Sequence, residues 1–430
     1  MAIVDGKPVS RERFLREVLA LAARLPEGQP LLNLCTSRYH FALGLLAAIC
    51  RGNLSLLPNS LAEGNIAALR EQHPDLLCLS DQPAMPFDLP GLRVEAQSGA
   101  DTSCPAMQQI PVSQRVACVF TSGSTGKPQA HYKTFGKLVR NIQAQAQRNW
   151  AATGGPCAVL GTVPFQHMYG LESTVLLTLF GGGILSAPKP FFPADVADAL
   201  AALPAPRFLV TTPYHLRKLL ESGIPVPPLA GLLSATAPLS IELAREAEAR
   251  FGAPLMEIYG STETGQIATR LPTRDDVWQL HADIRLHQGS NDLSHVEGGH
   301  VEQPQVLGDI VEKLDEQHFR LVGRHADMIN IAGKRSSLAF LNHTLQTLDG
   351  VVDGAFCLPH ESDSARLAAF VVAPGLNAAR ITAALRPYLD PAFLPRPIIF
   401  LDQLPRNATG KLPAADLQAL IARHIPDADA

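Results

Sequence analysis

Four times along this chain an apolar, helix-forming stretch runs into a glycine or proline break and then into a short strand-forming run. FALGLLAAIC (41–50) passes through Arg51 and Gly52 to LSLL, and STVLLTLF (173–180) through Gly181, Gly182 and Gly183 to ILSA. VADALAAL (196–203) passes through prolines to FLVTT, and IELAREAEARF (241–251) through Gly252 to LMEIY. Helices that alternate with apolar strands serve as crossovers between parallel neighbours, which indicates an α/β fold.

The texture changes between about Leu271 and Leu321. DIRLHQ, DIVEKL and FRLV are short and alternating, with Gly and Asp between them, as in an antiparallel subdomain. From about Asn330 a smaller α+β unit is expected. It has a helical stretch near Leu338 to Leu348, the strand-like runs GAFCLP and LAAFVVAP, a helix near Ala378 to Tyr388 and the strand PIIFL. The organisation expected is a large domain over 1–324, a hinge over 325–329 and a small, mobile lid domain over 330–430.

Several function classes are disfavoured by composition. A formal charge of -4 without a long basic block argues against a nucleic-acid binder. The seven cysteines show no metal-ligand spacing and fit reduced thiols in a cytoplasm. Arg11, Glu12, Arg13, Arg16 and Glu17 interrupt what would be the apolar core of a signal peptide, while Phe14, Val18, Leu21 and Leu25 mark one face of a helix. The run Phe41–Cys50 is too short to span a bilayer, which takes roughly 20 residues. No membrane span is expected. The histidines from His281 to His325 show no metal spacing and are expected at the surface.

The strand-like VACVF leads into TSGSTGKP and then into a helix-compatible stretch around FGKLVRNIQAQAQ. Gly123 and Gly126 permit tight turns, Ser122, Ser124, Thr125 and the loop amides offer donors to phosphate oxygens, and Lys127 adds a positive charge. The spacing is not that of the Walker loop, because only two residues separate Gly123 from the Gly126–Lys127 pair and Pro128 stands where a magnesium-binding hydroxyl belongs. No GxGxxG with a later acidic partner is found, so a dinucleotide-dependent oxidoreductase is disfavoured.

TSGSTGKP resembles the phosphate loop of the AMP-forming adenylate ligases, the superfamily of acyl-CoA synthetases, peptide-synthetase adenylation domains and luciferases. Further segments resemble that superfamily in the same order, and the resemblance spans Thr121 to Leu412. EIYGSTETG (257–265) is similar to its second hallmark. By that resemblance Thr121 to Lys127 bind ATP phosphates, Tyr259 stacks on adenine, and Gly260 and Ser261 form part of the nucleotide site. Thr262 bonds the α-phosphate and Glu263 holds Mg2+, an ion that prefers hard oxygen ligands. LLSATAPLS (232–240) resembles the segment lining adenine and the acyl pocket, with Ala235 and Thr236 where glycines are usual. LGDIVEKLDEQHFRLVGRHADMINIAGKRSS is similar to the segment that ends the large domain, so Asp309 would accept from both ribose hydroxyls and Arg324 would reach ribose or phosphate. PRNATGKL (405–412) resembles the C-terminal signature and makes Lys411 the catalytic lysine.

The resemblance implies ATP-dependent activation of a carboxylic acid as an acyl-adenylate, followed by transfer to a thiol after the small domain rotates. Departures from the pattern are Ala326 where an acidic or lysine pivot is usual, Asn330 for a common lysine, and Phe340 for an expected glutamate. TVPFQHMYGLE (162–172) stands where the superfamily begins its acyl pocket. Phe165, His167 and Tyr169 there, with no aspartate to pair a substrate ammonium, indicate an acid without an α-amino group, aromatic in preference to fatty. The altered hinge and short N-terminal region lean slightly to the phosphopantetheine of a holo acyl carrier protein as acceptor, with free CoA the alternative. A non-catalytic adenylate-binding protein is the remaining class, disfavoured because binding alone does not need both Lys411 and Glu263.

Overall fold

The computed structural model describes residues 1–58, 61–95, 109–122, 128–289, 293–324, 328–331, 334–359, 366–407 and 410–425. The strands of its first part, in chain order, are β1 (Ala2–Val4), β2 (Lys7–Val9), β3 (Leu31–Asn33), β4 (Ser55–Leu57), β5 (Leu77–Ser80), β6 (Gly91–Arg93), β7 (Arg115–Ser122) and β8 (Pro128–Thr134). There follow β9 (Ala158–Gly161), β10 (Ile184–Ser186), β11 (Arg207–Thr211), β12 (Gly231–Ser234), β13 (Leu255–Ser261), β14 (Gly265–Arg270) and β15 (Trp278–Leu280).

One sheet runs β6–β5–β3–β4–β7–β8, parallel except for β8, which returns antiparallel to β7. A second runs β15–β14–β13–β12–β11–β9–β10–β1–β2. Its centre, β13 to β1, is parallel, and antiparallel strands flank it at both ends. The α/β class expected from the alternation of helix and strand is therefore the architecture observed.

The helix Arg38–Cys50 is buried on nearly every side, which is why its sequence is apolar all round rather than striped. Its side chains join those of β3, β7, β9, β11 and β12 in one continuous core. The helix Arg11–Arg24 starts at Ser10, whose hydroxyl accepts from the Arg13 N–H at 3.1 Å, and it buries Phe14, Val18 and Leu21 as its pattern indicates. Six cysteines lie among the described residues, and all six are buried thiols. No helix among the described residues is long and apolar enough to cross a membrane.

The chain divides into two units, one comprising Met1–Ala235, Leu243–Leu286 and Val296–Gln305, the other Thr236–Glu242, His287–His295 and Val306–Ala430. Three strands fall where the units alternate along the chain: β16 (Ile284–Gln288), β17 (Ser294–Gly298) and β18 (Gln305–Val306). The second unit holds an antiparallel hairpin of β19 (Asp309–Lys313) and β20 (His318–Arg324), and a two-stranded pair of β21 (Met328–Ile331) and β22 (Lys334–Ser337). Its three-stranded sheet joins β23 (Asp353–Cys357), β24 (Ala368–Val372) and β25 (Ile398–Phe400). Successive residues of β23 and β24 point to opposite faces. Phe356, Ala369 and Val371 pack with Leu341, Leu345, Ile381 and Leu385 of the helices Leu338–Gln346 and Ala378–Leu385. Ala355, Cys357, Phe370 and Val372 pack with Ile421 of the helix Ala414–His424. Apolar runs in β23 and β24 are thus explained by helices on both faces.

Candidate active site

β7 and β8 pair in the register Thr121↔Gln129 and Ser122↔Pro128, so the glycine-rich segment connects two antiparallel strands. Gly123, Ser124, Thr125, Gly126 and Lys127 lie outside the described residues. Thr121, at the end of β7, has its Oγ1 3.0 Å from Nε2 of His131 on β8.

The second hallmark is a tight turn between β13 and β14. Ser261 pairs with Gly265, leaving Thr262, Glu263 and Thr264 at the tip. Two reciprocal contacts fix it: the Ser261 N–H donates to Thr264 Oγ1 at 3.0 Å, and the Thr264 N–H donates to Ser261 Oγ at 3.2 Å. The ladder shifts register between Tyr259 and Gly260, where a Cβ on Gly260 would lie 2.1 Å from the Gly265 carbonyl oxygen. Only glycine fits that approach. Gly265 has φ +70°, a left-handed conformation that glycine adopts without strain. Tyr259 is half-buried, its ring 5.7 Å from that of Trp278.

β8 brings this turn to Thr121, at the end of β7. Glu263 Oε1 is 3.5 Å from His131 Nε2, the same nitrogen that faces Thr121. Lys133, two residues on, donates from Nζ to the Glu263 carbonyl oxygen at 2.8 Å. Burial lowers the Lys133 pKa, while the carboxylates of Glu172, Glu302 and Glu263 pull the other way. Glu172 lies in a π-helical segment, Leu171–Leu176, and accepts from the Asn141 amide. Burial pushes its carboxyl up to about 7, against the opposing pull of Lys133, Asn141 and the Gln266 backbone. Glu302 accepts from the Thr134 N–H at 2.7 Å. Burial likewise lowers the His131 pKa, with Glu263 opposing. His131, Lys133, Asn141 and Glu302 belong to none of the sequence motifs, and Glu172 only ends the segment TVPFQHMYGLE. A signal was present in HYK, where polar side chains two apart share one face of a strand directly after the loop.

The acyl-pocket candidates occupy the carboxyl ends of parallel strands, where open α/β sheets bind ligands. Tyr169 reaches both the Thr211 carbonyl at 2.9 Å and the Leu233 carbonyl at 3.0 Å, the terminal turns of β11 and β12. Its phenol is pushed far above its usual range by burial. His167 is half-buried and directly precedes the short helical turn Met168–Gly170. Ala235 is buried at the end of β12. Phe165 is fully buried, 5.0 Å from the Phe41 ring. The Arg38 guanidinium lies 5.4 Å over the Phe165 ring and is itself fully buried. Arg38 donates to the carbonyls of Ser186 (2.8 Å), Pro188 (2.6 Å) and Gly161 (2.8 Å), and burial lowers its pKa to about 9.

In the second unit, the β19–β20 register sets Asp309 opposite Arg324, so the two ribose candidates share one end of a hairpin. Thr236 has φ +80°, a strained value for a β-branched residue and the physical reason glycine suits this position. Lys411 is exposed on a turn in which its N–H donates to Asn407 Oδ1 at 3.0 Å and its carbonyl accepts from the Asn407 N–H at 2.8 Å. Arg406 anchors the turn. It pairs bidentately with Asp353 of β23, at 2.7 Å through both nitrogens, and donates to the Gly410 carbonyl at 3.1 Å. Ala326 lies outside the described residues.

Two histidines correct the expectation of a surface cluster. His281 and His300 are buried, 1% and 5% exposed, with ring centroids 6.3 Å apart. Burial pushes them down to about 4 and about 3, so both are neutral in the folded protein near pH 7. The unfolded chain takes up those protons near pH 6.5, so stability is full above that value and falls as pH drops toward 4. Each group contributes a slope of up to about 1.4 kcal/mol per pH unit in that window. The double variant H281Q/H300Q is expected to flatten the acid limb, measured as urea midpoints at pH 7.5 and pH 5. Parallel midpoints in variant and wild type would exclude these histidines as its source.

With this geometry in place, the family model described as AMP-binding enzyme matches residues 32–287, more than half of the chain. The chain belongs to the AMP-binding enzyme family. The matched span of this AMP-binding enzyme contains the β7–β8 pair and the β13–β14 turn, whereas Asp309, Arg324 and Lys411 lie beyond it. The chain is 29% identical over 314 residues to a 4-coumarate–CoA ligase of Halorhodospira halophila, covering 68% of this chain and 73% of the relative. It is 24% identical over 359 residues to an indoleacetate–CoA ligase of Aromatoleum aromaticum, covering 74% and 70%. In structure it resembles O-succinylbenzoate coenzyme A synthetase from Bacillus subtilis in complex with AMP, with a TM-score of 0.80 at 18% identity, over 96% of this chain and 94% of that one. That likeness extends the shared fold beyond the matched span.

Proposed function

We propose that this AMP-binding enzyme activates a carboxylic acid with ATP and transfers the acyl group to the thiol of CoA, with an aryl acid as the preferred substrate. The observation that carries the reading is the meeting of two motifs at His131: Thr121, at the entrance to the glycine-rich loop, lies 3.0 Å from the imidazole nitrogen that Glu263 faces at 3.5 Å. Relatives named for 4-coumarate and indoleacetate, both aryl acids, support the substrate class and the acceptor.

A carboxylate and a polyphosphate repel, so positioning and charge neutralisation supply most of the catalysis. The substrate carboxylate attacks the α-phosphorus, pyrophosphate leaves and an acyl-adenylate forms. The thiol sulfur then attacks the acyl carbonyl, AMP leaves, and the thiol proton passes to solvent. In this reading the loop Thr121 to Lys127 holds phosphates, Thr262 donates to the α-phosphate, and Asp309 and Arg324 hold the ribose. Lys411 offsets charge between the reacting groups, and residues 325–329 form the pivot of the small domain. Glu263 fits a Mg2+ site: its carboxylate is part-exposed at the tip of a fixed turn and offers hard oxygen donors. Mg2+ bound there supplies charge neutralisation to the phosphates.

Pyrophosphate release measured across aryl and fatty acids, followed by thioester formation with CoA or with a holo carrier protein, tests the reading. Acid-dependent pyrophosphate release is expected, highest with aryl acids, and thioester is expected with CoA. Nucleotide binding without acid-dependent pyrophosphate from any acid would sink the catalytic reading. Thioester formed only on the carrier protein would sink the choice of acceptor.

A further inference from the structure

β8 addresses both ends of Glu263. His131 Nε2 lies 3.5 Å from its carboxylate, and Lys133 Nζ lies 2.8 Å from its carbonyl oxygen. The two side chains stand two residues apart and so leave the strand on one face. The same His131 Nε2 lies 3.0 Å from Thr121 Oγ1, on the strand that enters the glycine-rich loop. Lys133 is 4% exposed, and the carboxylates of Glu172 and Glu302 act on its ammonium together with Glu263. Burying an ammonium is costly unless hydrogen-bond and charge partners surround it, and here the Glu263 carbonyl and three carboxylates do so.

We propose that His131 and Lys133 are positioning residues that hold Glu263 in register with the phosphate-binding strand, which makes β8 a working part of the nucleotide–metal site. The proposal rests on the reading of Glu263 as the metal-facing carboxylate. The arrangement acts through Glu263: the imidazole limits the swing of the carboxylate, and the ammonium pins the backbone from which it projects. Groups that orient metal ligands from behind typically change metal affinity by on the order of 10–100-fold when removed.

The test uses the full chain with a non-hydrolysable ATP analogue and Mn2+ as a paramagnetic probe, its binding followed by electron paramagnetic resonance. H131F is expected to weaken Mn2+ binding by about tenfold or more and to raise KM for Mg–ATP, with KM for the acid and the unfolding temperature unchanged. H131Q, whose amide nitrogen reaches the place of Nε2, is expected to recover most of the loss. K133M is made together with E172Q, so that no buried charge is left alone, and is expected to weaken Mn2+ binding in the same direction. E263Q separates the two levels of the argument. If E263Q loses Mn2+ binding while H131F and K133M/E172Q retain wild-type affinity, the positioning role is overturned and the metal reading stands. If E263Q itself binds Mn2+ as wild type does, the metal reading fails and the positioning role with it.

Discussion

Replacing Lys411 by alanine is expected to lower the rate of adenylate formation from acid and ATP by on the order of 10²–10³ in kcat, the usual cost of removing one pre-placed electrostatic donor. Its turn is built for placement. Asn407 closes it on both sides, and Arg406 ties it to Asp353 through two 2.7 Å bonds. The lysine is therefore carried by a sheet strand rather than by a loose tail, although it stands near the end of the chain. Transfer of the acyl group from a supplied acyl-adenylate to the thiol starts after the phosphate charge has been dealt with, and K411A should leave that step much less affected. Both half-reactions are measured on the same protein. Equal losses in the two, or survival of adenylation, would remove Lys411 from the adenylation step.

Replacing Gly265 by alanine is expected to cost adenylation on the order of 10²-fold, as a displacement of about 1 Å in a positioned group does. Two effects combine. The residue holds φ +70°, which strains any L side chain by about 1–3 kcal/mol. The added Cβ would also lie 2.8 Å from both Asn141 Nδ2 and Glu172 Oε1. Those atoms are buried and bonded to each other, so they yield only by moving the turn that carries Thr262 and Glu263. Pyrophosphate release and the unfolding temperature of G265A check the expectation. Activity near wild type would mean that the turn tolerates the shift and that its placement is not critical.

Much of this was legible from the sequence because it rests on local rules. The α/β class follows from helix–break–strand repeats, and the order of the motifs from Thr121 to Leu412 is read directly along the chain. What escaped has a common cause: polar residues placed where pattern reading expects apolar ones. β8, with QAHYKT, has no apolar face and so gives no strand signal between loop and helix. The helix Phe135–Thr153 buries Asn141, Gln145 and Asn149 at four-residue spacing, a stripe that looks solvent-facing in sequence. His281 and His300 were misplaced for the same reason. Their burial depends on neighbours distant in the chain, such as Arg148 and Gln266, which no local pattern reports.

Arg38 carries a consequence for anyone who would alter the substrate range of this chain. Its charge is met by three carbonyl dipoles at the ends of β9 and β10 and just beyond, and by the face of Phe165. A planar fork can serve those acceptors at once, while the ammonium of lysine has neither the reach nor the geometry. Libraries that diversify the segment from Thr162 to Tyr169 therefore have a fixed partner outside the segment. Variants at Phe165 that remove the ring leave a buried cation against a void, and their failures would be lost folds rather than changed preferences. Screening such a library for soluble yield before screening for new acids separates the two, and keeping Phe, Tyr or Trp at position 165 retains a ring under the guanidinium.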